Sequence, residues 1–326
     1  MSESTRSNVL QKLEFVAKPT VVNGAPANVK YVEIRGQTLA LSRRGPISLV
    51  GLEDDWYEDL NDPDEVINTL RSNPGFKPDI FTFWQRLPNI EPKYPFYMEC
   101  ESIAALRIES YDYWLNKQIK GTARNKIRKS QKAGVEVREA DFDDDFVHGM
   151  VKIFNETPSR QGRRFWHYGK DFATVKSQFS RFLFREDLIG AYYNDELIGF
   201  VMLGNAGRYG MLGQIISMVG HRDKATNNAL MAKSVEMCAR KKLPYLVYAF
   251  WSDSSLADFK RYSGFEEVKL PRYFVPITQK GKFALKLGLH RGWKAAVPDQ
   301  IKNPLKQIRR SWYNRQAQHE VGSPSH

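Results

Sequence analysis

Residues 156–168 read Glu-Thr-Pro-Ser-Arg-Gln-Gly-Arg-Arg-Phe-Trp-His-Tyr, and they gather side chains that could do chemistry or hold a ligand. Arg160, Arg163 and Arg164 offer planar forks that suit carboxylate or phosphate groups. The ring faces of Trp166 and Tyr168 suit sugars or bases. Glu156 or His167 can take a proton from an amine or hydroxyl once the surroundings tune its pKa. A single histidine is more often a structural hydrogen-bonding group than a base. The plain alternative for the whole stretch is a surface loop anchored by a partly buried tryptophan. A second cluster, Trp251-Ser252-Asp253-Ser254, follows an apolar run. Asp253 or Ser254 reads best there as a helix N-cap, which leaves Trp251 as the ligand-facing candidate. No Ser/His/Asp or Cys/His set, metal cluster, Walker loop or dinucleotide fingerprint is present, and no metal is expected.

The chain that must position these groups is 326 residues long, a length that points to about two domains. Hydrophobic residues make up 42% of it, which excludes a wholly disordered chain. The longest apolar stretch, 197–220, is interrupted by Asn205 and Arg208, so no transmembrane span is expected. The first fifteen residues lack a charged-then-apolar signal pattern. Cys100 and Cys238 are too few for a disulfide framework or a zinc cage, and a reducing cytoplasm fits best.

The net charge of +12 is unevenly spread. Residues 117–132 hold seven Lys/Arg and no acid, and residues 280–326 hold ten against Asp299 and Glu320. The rest carries a net −3. Excess this local suits an anionic partner: nucleic acid, a membrane surface or a phosphorylated substrate. Solvated helix faces that aid solubility account for it equally well.

Residues 1–28 are polar and irregular, and are expected to be flexible. Short β-like runs follow at 31–34, 38–41, 47–52, 80–84, 96–98 and 104–108, with a helix over 63–71 started by Asp62-Pro63. Leu115, Ile119, Ala123 and Ile127 recur every four residues and predict one helix over 111–133. It carries the basic row Lys120, Arg124, Arg128 and Lys132, and Gly134 ends it. Beyond it the pattern predicts strand 135–137, helices 144–154 and 171–183, strands 188–193, 197–203 and 209–216, helix 224–240, strand 244–250, helix 254–262 and strand 265–275. Asn194-Asp195-Glu196 reads as a hairpin turn. Asn303-Pro304 opens a last amphipathic helix, with Leu305, Ile308 and Trp312 on one face. The Phe81-Thr82-Phe83-Trp84 run faintly echoes Tyr248-Ala249-Phe250-Trp251, as two related folds in tandem would.

The order β-α-α-β-β-β-α-β-α-β over 135–276 resembles the GNAT acyltransferase fold. Its most specific piece is Leu256-Ala257-Asp258-Phe259-Lys260-Arg261-Tyr262-Ser263-Gly264-Phe265, similar to that family's last helix and Gly-Phe entry into the final strand. The basic run from Arg124 to Val137 resembles the helix before the second domain of FemAB-like proteins, which carry two GNAT-like domains. The resemblance implies an α/β fold: a GNAT-like mixed sheet flanked by helices, preceded by a smaller, partial GNAT-like α/β domain. The expected divisions are 1–28, an α/β domain at 29–112, a basic connecting helix at 113–134, the GNAT-like domain at 135–279 and a basic tail at 280–326.

The resemblance also implies a donor site, for acetyl-CoA or another acyl-CoA, at Gln214, Ile216, Met218, Arg222, Lys224, Ala225, Thr226 and Asn227. Small residues at a helix N-terminus let backbone N–H groups approach phosphates. Arg222 and Ala225 match the usual loop loosely, whereas the glycines are missing and Asp223 is unhelpful to a phosphate. Lys260 stands where the family often has a tyrosine that protonates the departing thiolate. The segment with Arg160, Arg163, Arg164, Trp166 and Tyr168 would border the acceptor, with Glu156 or His167 as base. Acyl transfer needs little more than positioning and backbone donors for the developing oxyanion.

The leading expectation is an N- or O-acyltransferase acting on a glycan or peptide of the cell envelope. The alternatives are aminoacyl transfer from aminoacyl-tRNA, whose phosphates would meet 117–132, and a non-catalytic GNAT scaffold. The expected location is cytoplasmic, with peripheral membrane contact through the basic tail, although its apolar stripe could equally pack on the body.

Overall fold

The computed structural model describes residues 13–22, 25–160, 162–180, 183–251 and 255–292. The chain begins with strands β1 (Val16–Val22), β2 (Ala25–Ile34), β3 (Gln37–Arg44) and β4 (Ile47–Leu52). Helix α1 (Pro63–Ser72), strands β5 (Ile80–Trp84) and β6 (Met98–Arg107) and helix α2 (Tyr111–Tyr113) come next. A π-helical turn, Trp114–Gln118, leads to α3 (Gly121–Lys132), β7 (Glu136–Ala140) and α4 (Asp144–Asn155). Then come β8 (Ser159–Arg160), β9 (Arg163–Arg164), α5 (Phe172–Phe179), β10 (Glu186–Tyr193), β11 (Glu196–Asn205) and β12 (Gly210–Ser217). Finally there are α6 (Thr226–Arg240), β13 (Tyr245–Phe250), α7 (Ser255–Tyr262), β14 (Glu266–Pro276) and α8 (Gln279–Lys286).

Two compact units divide the described residues, one from 13–100 with 271–292 and the other from 101–270. These limits differ from the sequence divisions at 112/113 and 279/280, because the first unit is completed by a strand that returns from the far end of the chain. A pass along composition has no means of seeing such a return.

The first unit orders its strands β1-β2-β3-β4-β5-β14. All neighbours are antiparallel except β4 and β5. Its core gathers Leu39, Val50, Val66, Leu70, Phe81, Phe83 and Tyr273. β1 lies within the stretch expected to be flexible, where its Pro19 hides the strand pattern. Proline is tolerated there because β1 is an edge strand.

The second unit orders its strands β6-β13-β12-β11-β10-β7, with β12 and β13 its parallel pair. Leu246, Phe200, Val201 and Ile189 from the sheet pack with Met150 and Phe154 of α4 and Leu230 and Val235 of α6. The β10–β11 turn has positive φ at both Asn194 and Asp195, as a type I′ hairpin requires.

The helix expected over 111–133 is broken: Ile119 and Lys120 are extended, and α3 starts at Gly121. The four-residue recurrence carries across the break because Ile119, Ala123 and Ile127 all enter the core. Lys120 N–H donates to Tyr262 O there, fixing the kink. The runs at 96–98 and 104–108 merge largely into β6. The Asp253/Ser254 cap and the helix from Asn303 lie outside the described residues. Among the described residues no helix is long and apolar enough to cross a membrane.

Candidate active site

Parallel β12 and β13 send their carboxyl ends to the same end of the sheet, a favoured ligand position in α/β folds. They register only at Gly210↔Leu246 and Met211↔Val247, although β12 runs on to Ser217 and β13 to Phe250. Both strands are irregular just past that point. Gly213 is an extra residue in β12 against Met202–Leu203 of β11. β13 shifts register against β6 between Val247 and Phe250, with Ala249 at φ 47°. Bulges interrupt a ladder and re-aim groups beside active sites. A left-handed alanine costs about 1–2 kcal/mol, so the surrounding structure must hold it.

Helix α6 begins directly after Ala225, itself left-handed at φ 54°, and no side chain caps it. Thr226 Oγ1 and Asn227 Oδ1 are buried without a hydrogen-bond partner among the described residues. Arg222 and Lys224 form the single 3₁₀ turn before it, and Lys224 Nζ lies 4.5 Å from the Tyr193 ring centre. Asp223, 69% exposed, places its Oδ2 3.4 Å from Lys224 Nζ and pairs with it. An uncapped helix N-terminus, orphaned polar atoms, Arg222 and Lys224, the last shared with Asp223, together suit an anion, so the residues present fit the diphosphate of a nucleotide-bearing donor.

Lys260, on α7, is 1% exposed. Its Nζ donates to Phe250 O at 2.7 Å, at the carboxyl end of β13, and sits 4.6 Å from the Tyr248 ring centre. Burial lowers its pKa to about 8 and pushes the Tyr248 phenol up. An ammonium that releases its proton this near neutrality is suited to general acid work.

Glu156 and Arg160 tie α4 to the segment between β12 and α6. The Glu156 carboxylate accepts from Val219 N at 2.6 Å and Gly220 N at 2.7 Å. Arg160 donates to Ser217 O at 2.7 Å, to Ile153 O at 3.0 Å and to Glu156 at 3.2 Å. His167 has no exposed surface and stacks on Phe154 at 4.2 Å. Burial, then the charges of Lys170 and Arg160, pull it down to about 3, so the ring is neutral near pH 7. Glu156 is thus held by two backbone amides, and His167 is enclosed, its Nε2 buried and without a hydrogen-bond partner among the described residues.

Arg163 and Arg164 are exposed on the β8–β9 ribbon, and Trp166 and Tyr168 beyond it are nearly half exposed. Lys170 Nζ lies 4.3 Å from the Trp166 ring centre. Gln214 is partly buried next to the bulge, whereas Ile216 and Met218 are core residues that can offer only backbone. Trp251 packs against the core, and its backbone N–H donates to Ser102 O. Sequence reasoning missed the bulges at Gly213 and Ala249, the ring of Tyr248 and the amides of Val219 and Gly220. Only Gly213, a glycine inside a strand pattern, carried a readable signal.

Two open hollows of about 510 and 400 Å³ run along β7 and β10. Glu139 and Asp141 wall both, and such carboxylates disfavour a phosphorylated donor. Among the described residues no group of three or more His, Cys, Asp or Glu is placed to hold a metal ion.

No family model matches the chain, and no curated protein matches it in sequence. Its fold is nevertheless similar to solved structures. FemX superposes with a TM-score of 0.51 at 12% identity, over 80% of this chain and 88% of FemX. A C-terminal domain (DUF2156) assigned to a lysylphosphatidylglycerol synthetase from Agrobacterium fabrum gives 0.54 at 10% identity, over 79% and 87%. A conserved protein of unknown function from Bacteroides thetaiotaomicron gives 0.50 at 11%, over 77% and 86%. The chain has a GNAT fold of the FemAB-like kind.

Proposed function

We propose that the chain is an acyltransferase that moves an acyl group, acetyl in our reading, from acyl-CoA to an amine or hydroxyl of an envelope-related glycan or peptide, on the cytoplasmic side. The observation that carries this reading is the end of the β12–β13 ladder after two registered pairs, with both strands bulged, beside an uncapped helix N-terminus preceded by Arg222 and Lys224. Arg222, Lys224, Thr226, Asn227 and the first amides of α6 would hold the diphosphate. Bound acyl-CoA supplies an activated carbonyl. Backbone N–H groups about the Gly213 bulge are the donors available for its oxygen. Lys260 holds a proton at Nζ for the departing sulfur, in place of the family's tyrosine. Arg163, Arg164, Trp166 and Tyr168 receive the acceptor. Glu156 and Arg160 hold the donor loop in place, and His167 seats Trp166, at a ring distance of 3.6 Å.

A thiol-release assay with acetyl-CoA and a panel of amino sugars and peptides tests this. Release that depends on acceptor and drops in Lys260→Met supports it. Acetyl-CoA turnover that the substitution leaves untouched removes Lys260 from the mechanism, and absence of turnover with every acyl-CoA removes the donor.

The α3 surface favours a second reading, aminoacyl transfer from aminoacyl-tRNA. Lys117, Lys120, Lys126, Arg128, Lys129 and Lys132 are exposed and form no ion pair among the described residues. The phosphate contacts it implies would make binding strongly salt-dependent. Retention of aminoacyl-tRNA on the protein, without acyl-CoA binding, would favour it.

A further inference from the structure

Helix α8, in the first unit, is seated by a short set of bonds. Thr278 Oγ1 accepts from Gly281 N at 3.0 Å and donates to Asp79 Oδ1 at 3.0 Å. Gly281 lies so close to β5's approach that a Cβ would come within 1.8 Å of Asp79 O. This seating buries Gly281 and Ala284 and fixes which face turns outward.

That outward face is apolar along its middle. Phe283 is 63% exposed and Leu287, one turn on, is 55% exposed, with Leu289 following at 40%. Lys282 and Lys286 run beside the pair, and both are exposed. The β3–β4 turn adjoins it: Lys280 Nζ donates to Pro46 O, and Arg44 donates to His290 O. Arg43 and Arg44 are exposed on that turn. Residues 279–292 contain no acid; Asp79 pairs with Lys280, and Glu99 with His290 and Arg291, which leaves Lys282, Lys286, Arg43 and Arg44 as the cations of the surface. A surface that holds three large apolar side chains in water, ringed by cations, matches a partner with anionic groups over an apolar interior. Nucleic acid supplies the anions, but its bases gain no stacking from Leu287 and Leu289. A second copy would set like charges against each other.

We propose that α8 and the β3–β4 turn form a peripheral docking surface for anionic phospholipid membranes, with Phe283, Leu287 and Leu289 entering the interface. This does not rest on the acyltransferase reading.

Sedimentation of the full chain with vesicles tests it, using phosphatidylcholine alone and phosphatidylcholine with phosphatidylglycerol at three to one. The expected result is binding to the mixed vesicles that weakens with salt and is slight on neutral ones. Phe283→Ser with Leu287→Ser should lower the partition at least about tenfold. Lys282→Ala and Lys286→Ala should each lower it by up to about fivefold. Circular dichroism verifies that the variants fold, and the lysine variants, which leave the apolar seating intact, decide the matter if the serine pair does not. Absence of vesicle binding, equal binding to neutral vesicles, or undiminished binding by the folded variants would overturn the proposal. So would a change in oligomeric mass in the serine variant with vesicle binding retained, which marks a contact between copies.

Discussion

The two units contain the same small device, a parallel strand pair joined through a helix, and they finish it differently. In the first unit β4 and β5 register at Leu49↔Ile80 and Val50↔Phe81, and in the second β12 and β13 also register over two pairs. Past that point β4 and β5 stay in touch: a Cβ on Gly51 would come within 2.7 Å of Thr82 O, so only glycine fits. Phe83 then packs its ring on Tyr273 and against Tyr94 and Phe96. The joining helix α1 is closed by Asp62, whose carboxylate accepts from Glu65 N, and its first turn carries Asp64 and Glu65. Those acids complement the helix dipole and repel an anion. In the second unit both strands bulge, α6 has no side-chain cap, and the turn before it carries Arg222 and Lys224 with a single acid, Asp223, paired to Lys224. One copy of the device satisfies itself. The other leaves donors for something else, as functional sites do when they break local rules.

Substitutions can break this contrast. The largest effect is expected at Lys260: Lys260→Met should cost about a hundredfold in turnover with little change in donor affinity, measured by steady-state kinetics. The pH dependence of the native chain should agree. Because the Lys260 pKa is lowered from 10.5 to about 8, the ammonium is lost above pH 8 and turnover should fall there. The contribution of Lys260 to stability should move the opposite way. Between about pH 8 and 10.5 the unfolded chain binds the proton that the fold has released, so this group's contribution to stability rises across that window. A falling rate, and a stability difference that shifts in favour of the native chain over Lys260→Met as pH rises through this window, are therefore the expected pair of observations.

Next in size, Arg222→Glu with Lys224→Glu should weaken donor binding by about tenfold or more, as two reversed charges at a helix N-terminus would. Asp62→Ala in the first unit should leave donor binding unchanged while costing about 1 kcal/mol of stability, read by denaturant unfolding. The smallest effect is expected at Ala225. Ala225→Gly relieves a left-handed alanine and should stabilise by up to about 1 kcal/mol, with donor binding retained.

The fold was largely legible because its signals are local. β4 and β5 run over 47–52 and 80–84, as their apolar runs predict, and the Asp62-Pro63 signal marks the start of α1. β1 was hidden by Pro19, and the break before α3 was hidden because both of its sides feed one core. The tandem echo of Phe81–Trp84 and Tyr248–Trp251 falls one residue out of register, since Phe81 occupies the place of Val247 opposite the preceding strand. The site was legible only as residue types. Position decides between roles, and it placed Glu156 against the amides of Val219 and Gly220 and closed His167 within aromatic rings. A carboxylate, a histidine and a bulge each depend on a partner far along the chain, which spacing does not encode.

Calorimetry with acetyl-CoA, on the native chain beside Ala225→Glu in the second unit and Asp62→Ala in the first, tests the central claim most directly. The account predicts binding that survives Asp62→Ala and is lost in Ala225→Glu, where a carboxylate enters the turn that should receive the diphosphate. Absence of binding to the native chain, or equal binding by all three, would contradict a donor site at the start of α6.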